Sequence, residues 1–503
     1  MRTAYLILFT ALVVLSSDRG IAQNKMDNKW IMGYDTSLLV PGGDAILLDF
    51  GQQPVGISNI GTVHNFHMEG SNTSMSDGEG NLLFYSNGCY IVNVDNEIME
   101  NGDTINPGLV QDIYCPVGGS TWVQGVLSLP APGNDSLFYV FNLNMGQPYF
   151  GSNYIGIAPE ILYYQVVDMS ENGGLGKVIE KNQIAIQDTF SRANIQAARH
   201  ANGIDWWVIT AKSHTNCYFL TLVTEQGVQP PVLECEGKVW SDLDLSGQAV
   251  FSPNGEKYIR FNADNDMNIF DFDNETGELS NPVEIDFPND TFYLAGTAVS
   301  SNSRFLYAST VTKLYQFDLQ AADIPASKTL IGEWDGYDAP FPVIFYLMAL
   351  APDGKIYIAS TSSHKFLHVI NRPDCPGELC DFQQRGVSLP SYNFATIPNF
   401  PHYRNLPSNV ECDSISSTIL ENQFYDLKVY PNPSSEYIIF ELPESIHDAE
   451  ITIYDMTGRR RIAKSGCKGR ETINLNPLGN GIYIYEIRAI GPTIKKGKLV
   501  KEK

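Results

Sequence analysis

The chain has 503 residues, 43% of them hydrophobic, and a formal net charge of −24. That length suits two or three domains with sizeable cores, and the acidic balance excludes a partner held through phosphates, so no nucleic acid is expected. Beyond the N-terminus no stretch approaches the roughly 20 apolar residues needed to span a bilayer, which excludes an integral helical membrane protein.

At the start, Met1 and Arg2 supply positive charge, a mostly apolar run follows from Tyr5 to Leu15, and Gly20, Ile21 and Ala22 place small residues at a cleavage site. This pattern predicts a signal peptide over 1–22. Secretion makes the eight cysteines disulfide candidates. Cys89 and Cys115 bracket a loop rich in Asn, Gly and Pro; Cys217 and Cys235 fall on neighbouring antiparallel strands; Cys375 and Cys380 flank a tight turn. These are the candidate pairs, and spacing alone leaves connectivity open. The short Cys375–Cys380 spacing has no second pair to complete a zinc site, and no metal or other cofactor is expected.

Between 23 and 404 one pattern recurs: a turn closing on Gly or a small polar residue, then an aromatic-rich strand. Anchored at Gly80, Asn134, Gly203, Gly255, Ser303 and Gly354, the copies are 54, 69, 52, 48 and 51 residues apart. Asn-Gly and Asp-Gly permit the positive φ of a tight hairpin, and a period near 50 suits a four-stranded blade with its loops. The expectation is an all-β chain whose main domain is a six- or seven-bladed β-propeller. Six copies are visible; a seventh blade is expected from residues 30–50 together with 397–403, joining both ends so that no sheet edge is left open.

Residues 405–424 are polar and aperiodic and read as a linker. From Tyr425 the balance changes: 13 Lys and Arg stand against 10 Asp and Glu, while the remainder of the chain holds 20 against 47. Short alternating strands return at 437–440, 450–454 and 481–486, which predicts a small Ig-like β-sandwich over 425–503.

Four motifs stand in order in that last segment: Val429-Tyr430-Pro431-Asn432-Pro433, Ile453-Tyr454-Asp455-Met456-Thr457-Gly458-Arg459, Leu478-Gly479-Asn480-Gly481-Ile482-Tyr483, and Lys498-Leu499-Val500-Lys501. Together they resemble the type A C-terminal sorting domain of the type IX secretion system of Bacteroidetes-type bacteria. The resemblance implies export across the outer membrane to the cell surface, with the type IX machinery as partner. It assigns the sorting signal to Pro431, Asn432, Pro433, Gly458, Gly481, Tyr483, Lys498, Leu499, Val500 and Lys501. It also implies removal of the domain near the linker, which would take Cys467 away and leave seven cysteines, at least one of them unpaired. The region before it, through Leu82–Gly88, Ala198–Trp207, Phe251–Gly255 and Ile397–Arg404, is similar to a broad class of Bacteroidetes surface proteins, which implies fold and location and no activity.

Two clusters are candidates for ligand binding. Arg199 and His200 stand across an Asn-Gly turn from Asp205, an arrangement that could serve as an acid–base pair but is better read as hydrogen bonds tying one blade to the next. His64 and His67 have a spacing that would serve a metal only with a third ligand. No Gly-x-Ser-x-Gly elbow, phosphate loop or His-Glu-x-x-His motif is present, so no catalytic residue is assigned. The favoured reading is a surface binding or adhesion module whose loops take a glycan or protein ligand; the alternative is a secreted hydrolase or lyase with its site at the channel mouth.

Overall fold

Among the described residues, six of the seven sheets of three or more strands in the main domain are built around the repeated turns. In the computed structural model Gly80, Gly133, Gly203, Gly255, Ser303 and Gly354 each sit in the connection between the first two strands of an antiparallel sheet, with φ between 58° and 91°. That is the left-handed region, which glycine occupies without steric cost and which Ser303 holds under tertiary constraint. The structure describes residues 25–34, 44–60, 68, 70–116, 118–120, 122–146, 149–151, 154–156, 158–191, 194–240, 247–288, 290, 292–404, 412, 428–442, 449–455, 459–488 and 493–502. The predicted signal peptide, His64, His67, Gly458 and all of the predicted linker except Cys412 lie outside these residues.

The first sheet takes Lys29–Gly33, Ala45–Asp49 and Gly56–Asn59, and the second takes Thr73–Ser76, Leu82–Ser86 and Ile91–Asn93. The third runs Val126–Pro130, Leu137–Leu143, Ile161–Asp168, Lys177–Gln187, with a separate hairpin, Tyr149–Gly151 and Tyr154–Gly156, in one connection. The fourth contains Gln196–Arg199, Trp206–Ala211 and Cys217–Thr224; Gly227–Val228 and Val232–Cys235 both pair with the last of these. The fifth has Gln248–Phe251, Lys257–Asn262, Asp266–Phe272 and Leu279–Ile285; the sixth Gly296–Val299, Phe305–Ser309, Lys313–Asp318 and Thr329–Glu333; the seventh Met348–Leu350, Ile356–Ile358, His364–Ile370 and Phe382–Asn393. Each of these sheets is antiparallel with sequential neighbours, which short turn-rich connections favour.

Because strands here are apolar on both faces, each sheet must be covered on both sides. The cores run between successive sheets: Ile31 and Tyr85 join the first and second, Phe84, Phe138 and Trp206 the second to fourth, Tyr218 and Tyr258 the fourth and fifth, Phe261 and Phe317 the fifth and sixth, and Tyr307 and Ile356 the sixth and seventh. The series returns to its start, since Trp30 and Leu48 of the first sheet share a core with Tyr357 and Leu367 of the seventh. Trp30 is fully buried, its ring 4.9 Å from Phe50, 5.8 Å from Tyr357 and 6.1 Å from Phe400.

First strands touch first strands: Thr73–Ser76 meets Val126–Pro130, and Gln248–Phe251 meets both Gln196–Arg199 and Gly296–Val299, which in turn meets Met348–Leu350. Lys29–Gly33 of the first sheet meets Thr73–Ser76 in the same way. The segment 397–404 follows Phe382–Asn393 along the axis, where Asn399 N donates to Asn72 O at 2.8 Å, and ends at Arg404, which is ion-paired with Asp27. The sequence predicted that this stretch would complete a blade. It forms no ladder, because Pro398 and Pro401 have no N–H to contribute, and it fills the axis instead.

The up-and-down order separates two ends. Connections between first and second and between third and fourth strands leave one end, and neighbouring ones are bonded to each other: Ala201 N donates to Asn274 O at 3.0 Å, and Asn302 N donates to Asp374 Oδ1 at 2.9 Å. The other end carries the links from each sheet to the next, most of them longer.

Residues 428–502 form two further sheets, Lys428–Tyr430, Tyr437–Glu441, Arg470–Asn474 and Arg460–Cys467, Ala449–Asp455, Gly481–Arg488, Thr493–Lys501. They enclose one core of Ile438, Phe440, Ile451, Ile453, Tyr485 and Leu499.

Disulfides join Cys89 to Cys115 and Cys217 to Cys235, the second pair standing directly opposite in register on adjacent strands. Cys375 bonds Cys412, not Cys380. The turn Gly377–Cys380 carries Cys380 inward, where its buried thiol faces the Tyr307 hydroxyl, while Cys412 returns from beyond the main domain to Asp374. Cys380 and Cys467 are both buried and lie outside these three disulfides.

Candidate functional site

The natural site in such an arrangement is the axis, where the inner edges of the first strands present unpaired N–H and C=O groups. Here amide side chains take those groups. Gln124 Oε1 accepts from Ala249 N at 2.8 Å and from Asn194 Nδ2 at 3.0 Å, and its Nε2 donates to Ala249 O at 2.9 Å. Gln248 repeats the device between later sheets: its Oε1 accepts from Thr297 N at 3.0 Å and Met348 N at 3.1 Å, and its Nε2 donates to Met348 O at 2.6 Å.

Asn399 closes the network from the threaded segment. Its Nδ2 donates to Val126 O and Ile195 O, both at 3.0 Å, and its Oδ1 accepts from Gln196 Nε2 at 2.5 Å and Gln124 Nε2 at 3.2 Å. Its backbone N–H reaches Asn72 O at 2.8 Å, and its carbonyl accepts from Thr73 Oγ1 at 3.1 Å. One buried residue thus joins the second, third and fourth sheets. Further along, the His402 ring meets Phe251 O through Nε2 at 3.1 Å, Tyr403 OH donates to Ser128 O at 2.8 Å, and Arg404 pairs with Asp27. Burial pushes the His402 imidazole down to about 4 and raises the Asp27 carboxyl against the opposing pull of Arg404. Beside this network, among the described residues, lies a cavity of about 50 Å³ lined by Gln124, Gln248, Met348 and Asn399, with room for ordered water.

The axial glutamines were not singled out in the sequence, although a signal exists. Asn72, Gln124, Gln196 and Gln248 stand 7 to 9 residues before the repeated glycines Gly80, Gly133, Gly203 and Gly255, so an amide recurs at the start of the first strand.

Arg199, His200 and Asp205 lie together on the turn end, between the first two strands of the fourth sheet. His200 Nδ1 accepts from Asn202 N at 3.0 Å and Nε2 meets Glu275 O at 3.1 Å, so both ring nitrogens are occupied by backbone. Asp205 Oδ2 accepts from Asn202 Nδ2 at 2.8 Å. Arg199 lies over the Trp206 ring at 4.2 Å and donates to Gly203 O at 2.9 Å; burial lowers its pKa. The cluster knits its own turn and, through Glu275, the next sheet. In the acidic hairpin nearby, Asp273 Oδ1 accepts from Glu275 N and Thr276 N at 2.9 and 3.1 Å, a plain Asx turn. Among the described residues no three His, Cys, Asp or Glu side chains are grouped to hold a metal.

Ile204, in the turn that carries His200 and Asp205, is half open to solvent. At the opposite end the sheet-to-sheet links expose Ile113, Val239, Tyr293 and Phe341, each at least half open. In the terminal domain, Tyr483 is buried with its OH on Gly479 O at 2.9 Å, Leu499 is buried in the core and Lys498 is exposed. Asn432 reaches the strand that carries Lys498 and Val500.

Residues 428–502 match the family model described as the secretion system C-terminal sorting domain. The match supports export by the type IX secretion system and identifies a secreted, cell-surface protein. No curated protein matches the chain. Among solved structures it is similar to a functionally unknown protein from Desulfotomaculum acetoxidans DSM 771, 14% identical over 74% of this chain and 99% of that one with a TM-score of 0.40. It is also similar to a protein from Lactobacillus plantarum (14% identity, 73% and 98% covered, TM-score 0.41). A third likeness is to a putative 6-phosphogluconolactonase from Bacteroides fragilis (12% identity, 73% and 97% covered, TM-score 0.38).

Proposed function

We propose that the main domain is a seven-bladed β-propeller acting as a binding or adhesion module at the cell surface, carried there by an Ig-like terminal sandwich. The seven-sheet order and the series of cores that returns from the seventh sheet to the first support the ring. The observation that carries the binding role is the contrast between its two ends. One end is mostly turns bonded to each other, with Ile204 half open among them; the other carries mostly longer links that expose four apolar side chains, Ile113, Val239, Tyr293 and Phe341. Exposed apolar groups rimmed by polar loops are the composition of a recognition surface. A channel-mouth hydrolase or lyase is disfavoured because the channel is filled by residues 397–404, with their polar groups engaged in the axial network.

The ligand belongs to the class that meets flat aromatic and aliphatic groups on an acidic body: a glycan or an uncharged protein surface. The test is glycan-array and cell-binding measurement with the secreted chain, with and without EDTA. Joint replacement of Ile113, Val239, Tyr293 and Phe341 by Ser should weaken binding at least about tenfold, roughly 1.4 kcal/mol, with EDTA having no effect. Full binding by the fourfold variant would refute the loop-end surface, and turnover of the bound sugar would establish the hydrolase instead.

A further inference from the structure

The last strand, Thr493–Lys501, lies at the edge of its sheet; it pairs along its length with Gly481–Arg488, and a single parallel bridge ties Lys501 to Ser434. An edge strand leaves every second N–H and C=O on its outer side open. At the C-terminal half of this strand those groups are taken by the domain's opening motif. Asn432 Nδ2 donates to Lys498 O at 2.6 Å, and Asn432 Oδ1 accepts from Val500 N at 2.8 Å. Ser434 N then donates to Val500 O at 2.9 Å, and Glu502 N returns to Ser434 O at 2.9 Å.

The Asn432 amide thus stands in for a peptide group of a neighbouring strand, one donor and one acceptor facing a carbonyl and an N–H two residues apart. Backbone alone could not do this here. Pro431 and Pro433 on either side have no N–H, so the side chain supplies the donor. The clasp also sets register: with Lys498 and Val500 turned to Asn432, Leu499 pairs with Tyr483 and enters the core while Lys498 faces solvent. A slip by one residue would exchange those faces.

We propose that Asn432 is the positioning residue of the sorting signal. By clasping the end of the chain to the start of the domain, it makes Pro431–Pro433 and Lys498–Lys501, some 66 residues apart in sequence, one composite surface for the export machinery to read. This rests on the sorting role of residues 428–502. Deletion of 425–503 tests that premise separately: it removes the domain and the clasp together, so retained surface display would refute the sorting role itself, while loss of display supports that role and leaves the part played by Asn432 to the point variants.

The experiment uses the full chain in its secreting host and compares Asn432→Ala with Ile473→Val, a core change in the same domain that leaves the clasp intact. Thermal melting, amide exchange at Val500 and the surface-to-periplasm ratio are measured for each. Asn432→Ala should speed exchange at Val500 about tenfold and drop the surface fraction about tenfold, with folded protein held in the periplasm. Ile473→Val should lower the melting temperature at least as much and still reach the surface. Normal export of Asn432→Ala would overturn the proposal. So would equal loss of export in Ile473→Val, which would make stability alone the determinant, or unchanged protection of Val500, which would remove the clasp.

Discussion

The main domain and the terminal sandwich solve the same problem with the same two residue types and opposite surroundings. Each must finish a set of strands with a segment that prolines prevent from pairing as a strand. In the main domain that segment is Pro398-Asn399, buried on the axis; in the sandwich it is Pro431-Asn432-Pro433, exposed at a sheet edge. In both, the asparagine side chain makes the hydrogen bonds that the prolines cannot. The difference is where failure would be felt. Inside, an amide removed leaves partners that water reaches poorly, so the cost falls on folding. Outside, water replaces the lost bonds, so the cost falls on geometry and on whatever reads it.

The sharpest way to break this contrast is at Asn399. Asn399→Ala strips the donors from Val126 O and Ile195 O and the acceptor from Gln196 Nε2, and should cost about 3–5 kcal/mol in chemical denaturation of the secreted chain. A loss under about 1 kcal/mol would mean that water already shares the axis and that the two asparagines are alike.

Acid should act on the same interior. Unfolded, the His402 imidazole takes a proton near 6.5; folded, it resists until about 4. Between those values the unfolded state binds the extra proton, so stability falls as pH drops from 6.5 toward 4, by about 3 kcal/mol for this residue. His368, pushed down to about 3 by burial, adds in the same direction. His402→Gln can keep a donor for Phe251 O and should flatten part of the acid slope in urea midpoints taken at pH 7 and 4.5. An unchanged slope would remove His402 from the account.

The smallest expected effect on folding is at the outer clasp. Asn432→Ala should lower stability by less than about 1 kcal/mol, while its surface fraction drops about tenfold. If its folding cost equalled that at Asn399, the contrast between the two regions would collapse into a single structural role.

Much of the architecture was legible because turn chemistry is local. A glycine or a small polar residue closing a hairpin constrains φ wherever it occurs, so six connections could be placed from spacing alone, and Cys217 and Cys235 could be matched because hairpin register follows from their strands. Short strands without alternation, such as Arg460–Cys467 and Arg470–Asn474, left no such trace; both are polar along much of their length and owe their pairing to neighbours. Cys375 shows the other limit. Its nearest cysteine in sequence, Cys380, is turned inward toward Tyr307, and its actual partner, Cys412, arrives from 37 residues away. Of the seven cysteines before the terminal domain, Cys380 is the one outside the three disulfides.

The amino-acid order alone determined the all-β character, the turn positions, the acidic body with its basic end and the sorting motifs, because each depends on residues close in the chain. Only the tertiary structure decided that residues 397–404 seal the axis rather than add a strand, that Arg199, His200 and Asp205 bind their own turn, and that Asn432 meets Val500. Those outcomes depend on which unpaired backbone groups are left facing which side chain once distant strands have met, and no local pattern carries that information.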